Sequence, residues 1–343
     1  MPAYVSPPVI VLADHKVSTA DVRAEVSERH REHPRLRAML RAIDACGVES
    51  RPFTRPLAEA AAVSGVEHRM RNAFGDACAM ATTAGLKALS ELGLAATDID
   101  AIVTSHTTSW AVPGLDVHLV ESLGLRPDVA RIPLSTLACA GGTQALARAA
   151  DLLAARPGST VLTVVAEVLS TTYHGAADSM PSAIYKALFG DSAGACVVTD
   201  TALGPGFAIE SPFEYVLPRS QDRYWGDLDS AGLHFESTRK AATAASDALP
   251  ALLEWMGAWR PSFAVVHPGG PRIIAEVAHG LGLSDADVAH SLTSLSENGN
   301  LGGNAVLDVL RRTHGAPPPQ GSEGLIVSFG PGFVVAGVRG RWV

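Results

Sequence analysis

The sequence predicts an α/β fold built from two related halves. Two observations carry this. Apolar runs of strand length alternate with stretches of helical periodicity from one end of the chain to the other. One local pattern also occurs twice. Cys139 is followed at the second position by Gly141-Gly142 and then by apolar residues at helical spacing (Ala145, Leu146, Ala149, Leu152, Leu153). Asn300 is followed at the second position by Gly302-Gly303 and a similar set (Ala305, Val306, Val309, Leu310). A nucleophile and an amide in equivalent places of two half-chains predict one site shared by both.

The elements follow in order. Residues 9–12 (Val-Ile-Val-Leu) read as a strand. Helical periodicity covers 19–46, interrupted at Pro34, and an alanine- and leucine-rich helix covers 76–93. Residues 99–105 form a buried strand, 114–124 a helix, 131–134 an extended segment and 141–155 a helix. The turn Arg156-Pro157-Gly158-Ser159 leads into a strand at 160–165. A helical run at 183–189 precedes a strand at 193–199. In the second half, helices are expected at 238–257, 271–281 and 303–312, and a strand at 263–266. Strands at 324–329 and 333–338 flank the tight turn Gly330-Pro331-Gly332. Such alternation predicts largely parallel sheets covered by helices. The three consecutive prolines at 317–319 mark a surface loop. No low-complexity linker divides the chain. The join falls near 199–206, giving halves of 1–203 and 204–343 with a shared core.

Bulk properties narrow the function. With 343 residues, 47% hydrophobic and 18% charged, the chain can bury a large core. A net charge of −8 without a long basic run argues against nucleic acid as the main partner. The N-terminus lacks the pattern of a secretory signal, and no apolar stretch approaches the ~20 residues of a membrane span. The four cysteines show neither CxxC spacing nor disulfide density, so a reducing cytoplasm is expected. Cys46, Cys78 and Cys196 read as small packing residues.

Three residues carry the chemistry. A thiol attacks as thiolate, and a helix N-terminus favours that anion. Cys139, before two glycines and a helix, is placed for this; taken alone it equally fits a buried cysteine in a tight turn. His267 ends an apolar strand just before Pro268-Gly269-Gly270-Pro271, where α/β proteins carry reactive groups. A lone histidine there also fits a satisfied loop residue, and Asn300 after Gly299 also fits a turn.

Together these segments are far more specific. The chain resembles the type III polyketide synthases of the bacterial kind, in the chalcone and stilbene synthase family within the wider thiolase fold. The matching segments are Cys139-Ala140-Gly141-Gly142-Thr143, Ala187-Leu188-Phe189-Gly190-Asp191, Gly232-Leu233-His234-Phe235, His267-Pro268-Gly269-Gly270-Pro271, Ser296-Glu297-Asn298-Gly299-Asn300 and Gly330-Pro331-Gly332, in the family's order. The resemblance implies two βαβαβ halves in α-β-α-β-α layers. It implies an acyltransferase that loads an acyl-CoA starter on Cys139, extends it by decarboxylative condensation with malonyl-CoA, and cyclises the product to a pyrone, resorcinol or related aromatic. His267 matches the histidine paired with the thiolate and, with Asn300, the donors to thioester oxygens. Phe189 and Phe235 match the gate between CoA tunnel and cavity. Thr107, Trp110, Val112, Thr172, Gly226, Gly302 and Pro331 match cavity positions. Arg35, Arg37, Arg41 and Gly270 match the CoA-binding region, although the arginines also fit a solvated helix face. The resemblance further implies a homodimer in which Val112 reaches the partner's cavity. CoA thioesters are substrates; no metal and no permanently bound cofactor is implied.

Departures bear on product. Gly302-Gly303 stands where the family often has Ser-Ser, which predicts an enlarged or reshaped cavity. Thr107 stands where some bacterial members carry cysteine, and Trp110 is a bulky neighbour. After Phe235 the usual Val-Pro loop is missing, and the run to His267 is short. A ketoacyl-carrier-protein synthase III-like enzyme, a non-extending acyltransferase and a catalytically dead homologue are the other readings; the intact triad opposes the last. Two motifs mislead. Gly190-Asp191-Ser192-Ala193-Gly194 satisfies G-x-S-x-G, but a helix precedes it and a strand follows, the reverse of a hydrolase elbow. His30-Arg31-Glu32-His33 is too short a signal for a metal site.

Overall fold

A computed structural model describes residues 2–343. In chain order the elements are β1 (Ala3–Val5), β2 (Val9–Leu12), β3 (His15–Ser18), α1 (Thr19–Arg29), α2 (Leu36–Asp44), β4 (Ser50–Phe53), α3 (Leu57–Ala60), α4 (Val66–Leu92), β5 (Ala101–His106), α5 (Leu115–Ser122), β6 (Ala130–Ser135), α6 (Gly141–Ala155), β7 (Val161–Glu167), α7 (Met180–Leu188) and β8 (Ser192–Thr199). The second half holds β9 (Phe207–Val216), β10 (Tyr224–Asp229), β11 (Gly232–Ser237), α8 (Ala244–Met256), β12 (Phe263–Val266), α9 (Pro271–Leu281), α10 (Ala289–Asn298), α11 (Ala305–Gly315), β13 (Glu323–Gly330) and β14 (Val334–Trp342).

The expected helices and strands are present, with two kinds of difference. Helix α4 begins ten residues before its expected start at 76. Polar residues crowd that first part, Val66 to Asn72, and mask its periodicity. Strands β1, β3, β4 and β9, helices α3 and α10 and the hairpin β10–β11 were not expected. Helix α10 is rich in Ser, Asn and Thr, which favour caps and turns. Strand β10 carries Gly226 and two aspartates, residues depleted in strands.

Ten strands form one sheet in the order β12-β13-β14-β9-β1-β8-β7-β5-β6, with β2 also paired to β8. The expectation of largely parallel pairing is corrected. Parallel pairs are β5–β6, β5–β7 and β12–β13, whereas β8 and β14 run antiparallel to their neighbours. The reason is local. The short turn between β13 and β14 cannot hold the crossover that parallel strands require.

Packing divides the fold into layers. On β7, Val161 and Val165 face inward with Ala145, Leu146 and Ala149 of α6 and Val306, Leu307 and Leu310 of α11. Val265, Ile326 and Val338 from the second half meet the same cluster. Leu162 and Val164 face outward against the alanine stripe of α4 (Ala73, Ala77, Ala81, Ala84, Ala88). On the other side Ala264, Val266 and Leu325 pack against α8, α9 and α10. Helices therefore cover both outer faces, and α6 and α11 form a buried middle layer. These are the α-β-α-β-α layers implied by the resemblance.

The middle layer is where the two repeated motifs meet. A Cβ added to Gly142 would lie 2.0 Å from the Gly303 carbonyl oxygen and 2.8 Å from Val306 Cγ2. A Cβ on Gly303 would lie 2.9 Å from the Ala138 carbonyl oxygen and 3.1 Å from Gly142 N. Both obstacles include main chain, so no side chain can turn aside to make room. We predict that Gly142→Ala lowers stability by roughly 3 kcal/mol in urea unfolding through overpacking of the α6–α11 contact. Gly75→Ala in α4, with nothing within 4 Å, should instead raise it by about 0.5–1 kcal/mol through helix propensity.

Candidate active site

The site forms at the contact of the two halves. Cys139 lies in the 3₁₀ turn Ala138–Ala140, which leads directly into α6. The preceding residues are unusual: Thr136 and Ala138 have φ of 62° and 45°. The Thr107 hydroxyl accepts from Ala138 N at 2.8 Å and fixes the turn. The Gly330–Gly332 turn presses on it from the other half. A Cβ on Gly330 would meet Ala140 Cβ and the Leu137 oxygen, each at 2.9 Å.

Asn300 follows Gly299, the C-cap of α10. Its amide Nδ2 lies 3.8 Å from Cys139 Sγ, and its Oδ1 accepts from Gly302 N at 2.9 Å. That second bond fixes the amide's orientation. His267 closes β12, its N–H donating to the Val327 carbonyl at 2.8 Å. Its side chain is buried and its Nδ1 has no hydrogen-bond partner. Burial pushes the imidazole down to about 3, so it is neutral at ordinary pH.

The thiol moves the other way. Burial pushes Cys139 up to about 12, against hydrogen bonds from Asn300 and Tyr224 and with a further push from Glu167. The expected lowering by the α6 N-terminus is therefore outweighed by desolvation. At rest the site holds a thiol and a neutral imidazole.

Two groups that sequence reasoning missed stand beside Cys139. Glu167 ends β7 and is 1% exposed. Its Oε2 accepts from Thr107 N at 3.2 Å, while Oε1 has no partner. Burial raises this carboxyl to about 8. The available signal was one acid closing an otherwise apolar strand. Tyr224, at the start of β10, contributes a hydroxyl against Cys139. It went unseen because the hairpin itself did.

The two phenylalanines expected to form a gate come together. Phe189 and Phe235 have ring centroids 5.7 Å apart at 68°. Tyr185 stacks on Phe189 at 5.1 Å and 3°, and Tyr224 tilts against Phe235 at 5.5 Å. Phe189 is also bound to the catalytic region by main chain. Asn300 N donates to the Leu188 carbonyl at 2.7 Å, and Gly190 N donates to the Asn300 carbonyl at 3.0 Å.

The expected cavity residues divide. Thr172 lines a cavity together with Phe235. Thr107 lies beside the nucleophile, but its hydroxyl supports the turn. Pro331 sits in the turn whose Gly332 N donates to the Tyr224 carbonyl at 3.0 Å. Three expectations, at Trp110, Gly226 and Gly302, are corrected. Trp110 is 77% exposed and takes no space in its own chain's cavity. Val112, on the same loop, is 81% exposed. Gly226 is exposed on β10; a Cβ there would press on Phe235 at 3.1 Å instead of filling the cavity. Gly302 does not enlarge the site. Its φ is +61°, and the place of its missing side chain is occupied by Glu167 and Leu169, 3.1 and 3.2 Å from an added Cβ. Arg35, Arg37 and Arg41 are exposed at the start and along the outer face of α2. Gly270 precedes α9 with φ 153°. Among the described residues no cluster of three or more His, Cys, Asp or Glu could hold a metal, and no helix is long and apolar enough to cross a membrane.

This geometry agrees with known proteins. The N-terminal domain of chalcone and stilbene synthases matches residues 54–202, and the C-terminal domain matches 202–342. A phloroglucinol synthase of Pseudomonas fluorescens is 29% identical over 98% of both chains. A 1,3,6,8-tetrahydroxynaphthalene synthase of Streptomyces coelicolor is 30% identical over 98% of this chain and 91% of the relative. The solved structure of germicidin synthase from Streptomyces coelicolor, a type III polyketide synthase, superposes with a TM-score of 0.94 at 31% identity, over 100% of both chains. That of the tetrahydroxynaphthalene synthase from the same organism superposes with a TM-score of 0.95 at 30% identity, over 99% of both. The chain therefore belongs to the chalcone and stilbene synthase family and is a type III polyketide synthase.

Proposed function

We propose that Cys139 carries the acyl starter, that His267 and Asn300 stabilise the enolate formed from malonyl-CoA, and that the extended chain cyclises in the same chamber to a pyrone, resorcinol or related aromatic. The observation that carries this reading is the position of the Asn300 amide 3.8 Å from Cys139 Sγ. His267 is buried with an unpartnered ring nitrogen, and the Tyr224 hydroxyl approaches Cys139.

Each residue has a defined task. His267 takes the Cys139 proton as the thiol attacks the starter thioester, giving the acyl-enzyme and releasing CoA. Burial that raises the thiol and lowers the imidazole makes this ion pair a transient species, formed only when a substrate carbonyl is present to be attacked. Malonyl decarboxylation then leaves an enolate oxygen. Fixed N–H donors in a dry chamber stabilise that charge far better than water-exposed ones. The enolate carbon attacks the acyl thioester, forming a carbon–carbon bond and returning the Cys139 thiolate. The four rings keep water from the acyl-enzyme. The exposed Arg35, Arg37 and Arg41 supply positive charge for the CoA phosphates.

We also propose a homodimer through the loop of Trp110 and Val112. Large apolar side chains this exposed, and adjacent, mark a contact surface.

Three outcomes are expected. Incubation with malonyl-CoA and a panel of acyl-CoAs, followed by mass analysis, should show an acyl adduct on Cys139, CO₂ release and an extended product. Cys139→Ala should lose the adduct, and Asn300→Ala should slow CO₂ release by about 10²–10³-fold. Acyl transfer without CO₂ release would instead indicate a non-extending acyltransferase.

The second outcome concerns pH. Thiol with imidazole and thiolate with imidazolium hold the same number of protons, so loading through this pair is flat between pH 6 and 7. Glu167 is neutral below about 8 and charged above it, and its charge opposes a thiolate beside it. Stopped-flow loading rates should therefore decline above pH 8, and Glu167→Gln should remove that decline.

Third, Trp110→Asp with Val112→Asp should shift sedimentation from dimer to monomer; an unchanged coefficient would refute the contact.

A further inference from the structure

A cavity of about 400 Å³ lies outside the ring cluster. Its size falls in the range of small-molecule pockets. Val63 and Arg69 wall it at the start of α4, Thr172 and His174 in the segment after β7, Tyr185 on α7 and Phe235 on β11. Tyr185 and Phe235 line the cavity and also belong to the cluster of four rings with Phe189 and Tyr224, whose hydroxyl approaches Cys139.

Tyr185 is the more telling of the two, because nothing in its backbone requires an aromatic. It lies four residues before Phe189, the residue that caps α7, and the two rings stack in parallel. It also meets Tyr224 at 5.9 Å and Phe235 at 6.4 Å. Its phenol is within electrostatic reach of Cys139. The helix beneath it is anchored. Lys186, the next residue, donates to the carbonyls of Gly175 and Ala177 at 3.0 and 2.7 Å, in the segment that walls the cavity. The two spaces are thus divided by a side chain on a fixed helix. Its ring stands with that of Phe235 between the cavity and Cys139.

Resting on the synthase reading above, we propose that Tyr185 is a specificity-determining residue for the starter. Its ring closes the Cys139 chamber against the outer cavity. It restricts loading to acyl groups short enough to end beneath the ring cluster, and its truncation admits chains whose distal end occupies the cavity.

The test uses the full chain with acetyl-, butyryl-, hexanoyl-, octanoyl- and decanoyl-CoA. It measures Cys139 acylation by intact mass and kcat/KM for malonyl-dependent extension. The wild type should favour the short members. Tyr185→Ala should raise the decanoyl-to-butyryl ratio of kcat/KM at least tenfold, the scale expected when a pocket gains several methylenes of room. Tyr185→Phe keeps the ring and should keep the wild-type profile. If the alanine variant does not fold, Tyr185→Leu serves, with a rise of at least threefold. A ratio within twofold of wild type in the folded truncation variant overturns the proposal. So does a wild type that loads decanoyl-CoA as well as butyryl-CoA. Failure of the wild type to acylate Cys139 with any of the five overturns the synthase reading itself, and is distinguishable because no adduct forms at all.

Discussion

The contact between Gly142 and Gly303 is the constraint on which the rest of the structure depends. It brings the N-terminal ends of α6 and α11 to main-chain distance across the interface of the two halves. Cys139 lies three residues before one of these glycines and Asn300 three residues before the other. Once the glycines touch, a nucleophile and an amide that are 161 residues apart in the chain must stand side by side. The buried layer of α6 and α11 and the two sheet faces packed on it hold that contact rigidly. The approach of Cys139 and Asn300 is thus a consequence of core packing.

Burial of this site works against resting ionisation and in favour of chemistry. A thiol pushed to about 12 and an imidazole pushed to about 3 make an inert pair in water's absence. The same desolvation strengthens every donor aimed at an oxyanion, because the interior offers little screening. The unpartnered atoms are consistent with this trade. His267 Nδ1 and Glu167 Oε1 are buried without hydrogen bonds in a fold that satisfies most of its other polar groups. Glu167 adds a control absent from the triad itself. It occupies the space left by the missing side chain of Gly302 and stays neutral until the solution is distinctly alkaline. The departure at Gly302, read from sequence as added room, is a seat for a buried acid.

What was legible in the sequence follows from what leaves a local trace. The strand at 161–167 and the helix at 141–155 are continuous apolar signals, and their placement needs no tertiary information. Cys139 and Asn300 stood out because each sits beside glycines demanded by close main-chain approach, and His267 because it ends a strand at a Pro-Gly-Gly turn. The antiparallel course of β8 and β14 left no such trace, since strand direction is set by connections and not by composition. Nor did the hairpin β10–β11, where Gly226 and the aspartates conceal two strands that deliver Tyr224 and Phe235. Trp110 misled for a different reason. Its bulk was legible but its direction was not, and only the fold turns it outward.

The gate and the chemistry are joined by backbone, and this limits where product specificity can arise. Phe189 and Asn300 pair as an isolated parallel bridge. The bridge leaves no room for adjustment: a Cβ on Gly299 would lie 2.4 Å from the Leu188 carbonyl oxygen, and one on Gly190 would lie 2.6 Å from that of Asn298. Arg51, wholly buried, donates to the neighbouring Ala187 carbonyl at 2.5 Å and to Thr19 Oγ1 at 2.7 Å, which ties the segment to α1 as well. The Phe189 ring and the Asn300 amide, coupled in this way, cannot be moved apart without disrupting both. Variation in substrate must therefore reside in side chains that project into the chamber from rigid positions. Tyr185 and Tyr224 are the bulkiest of these that lie outside the triad and the two gate phenylalanines. On the proposed reading their bulk sets its limits, while Cys139, Asn300 and Phe189 stay at fixed distances.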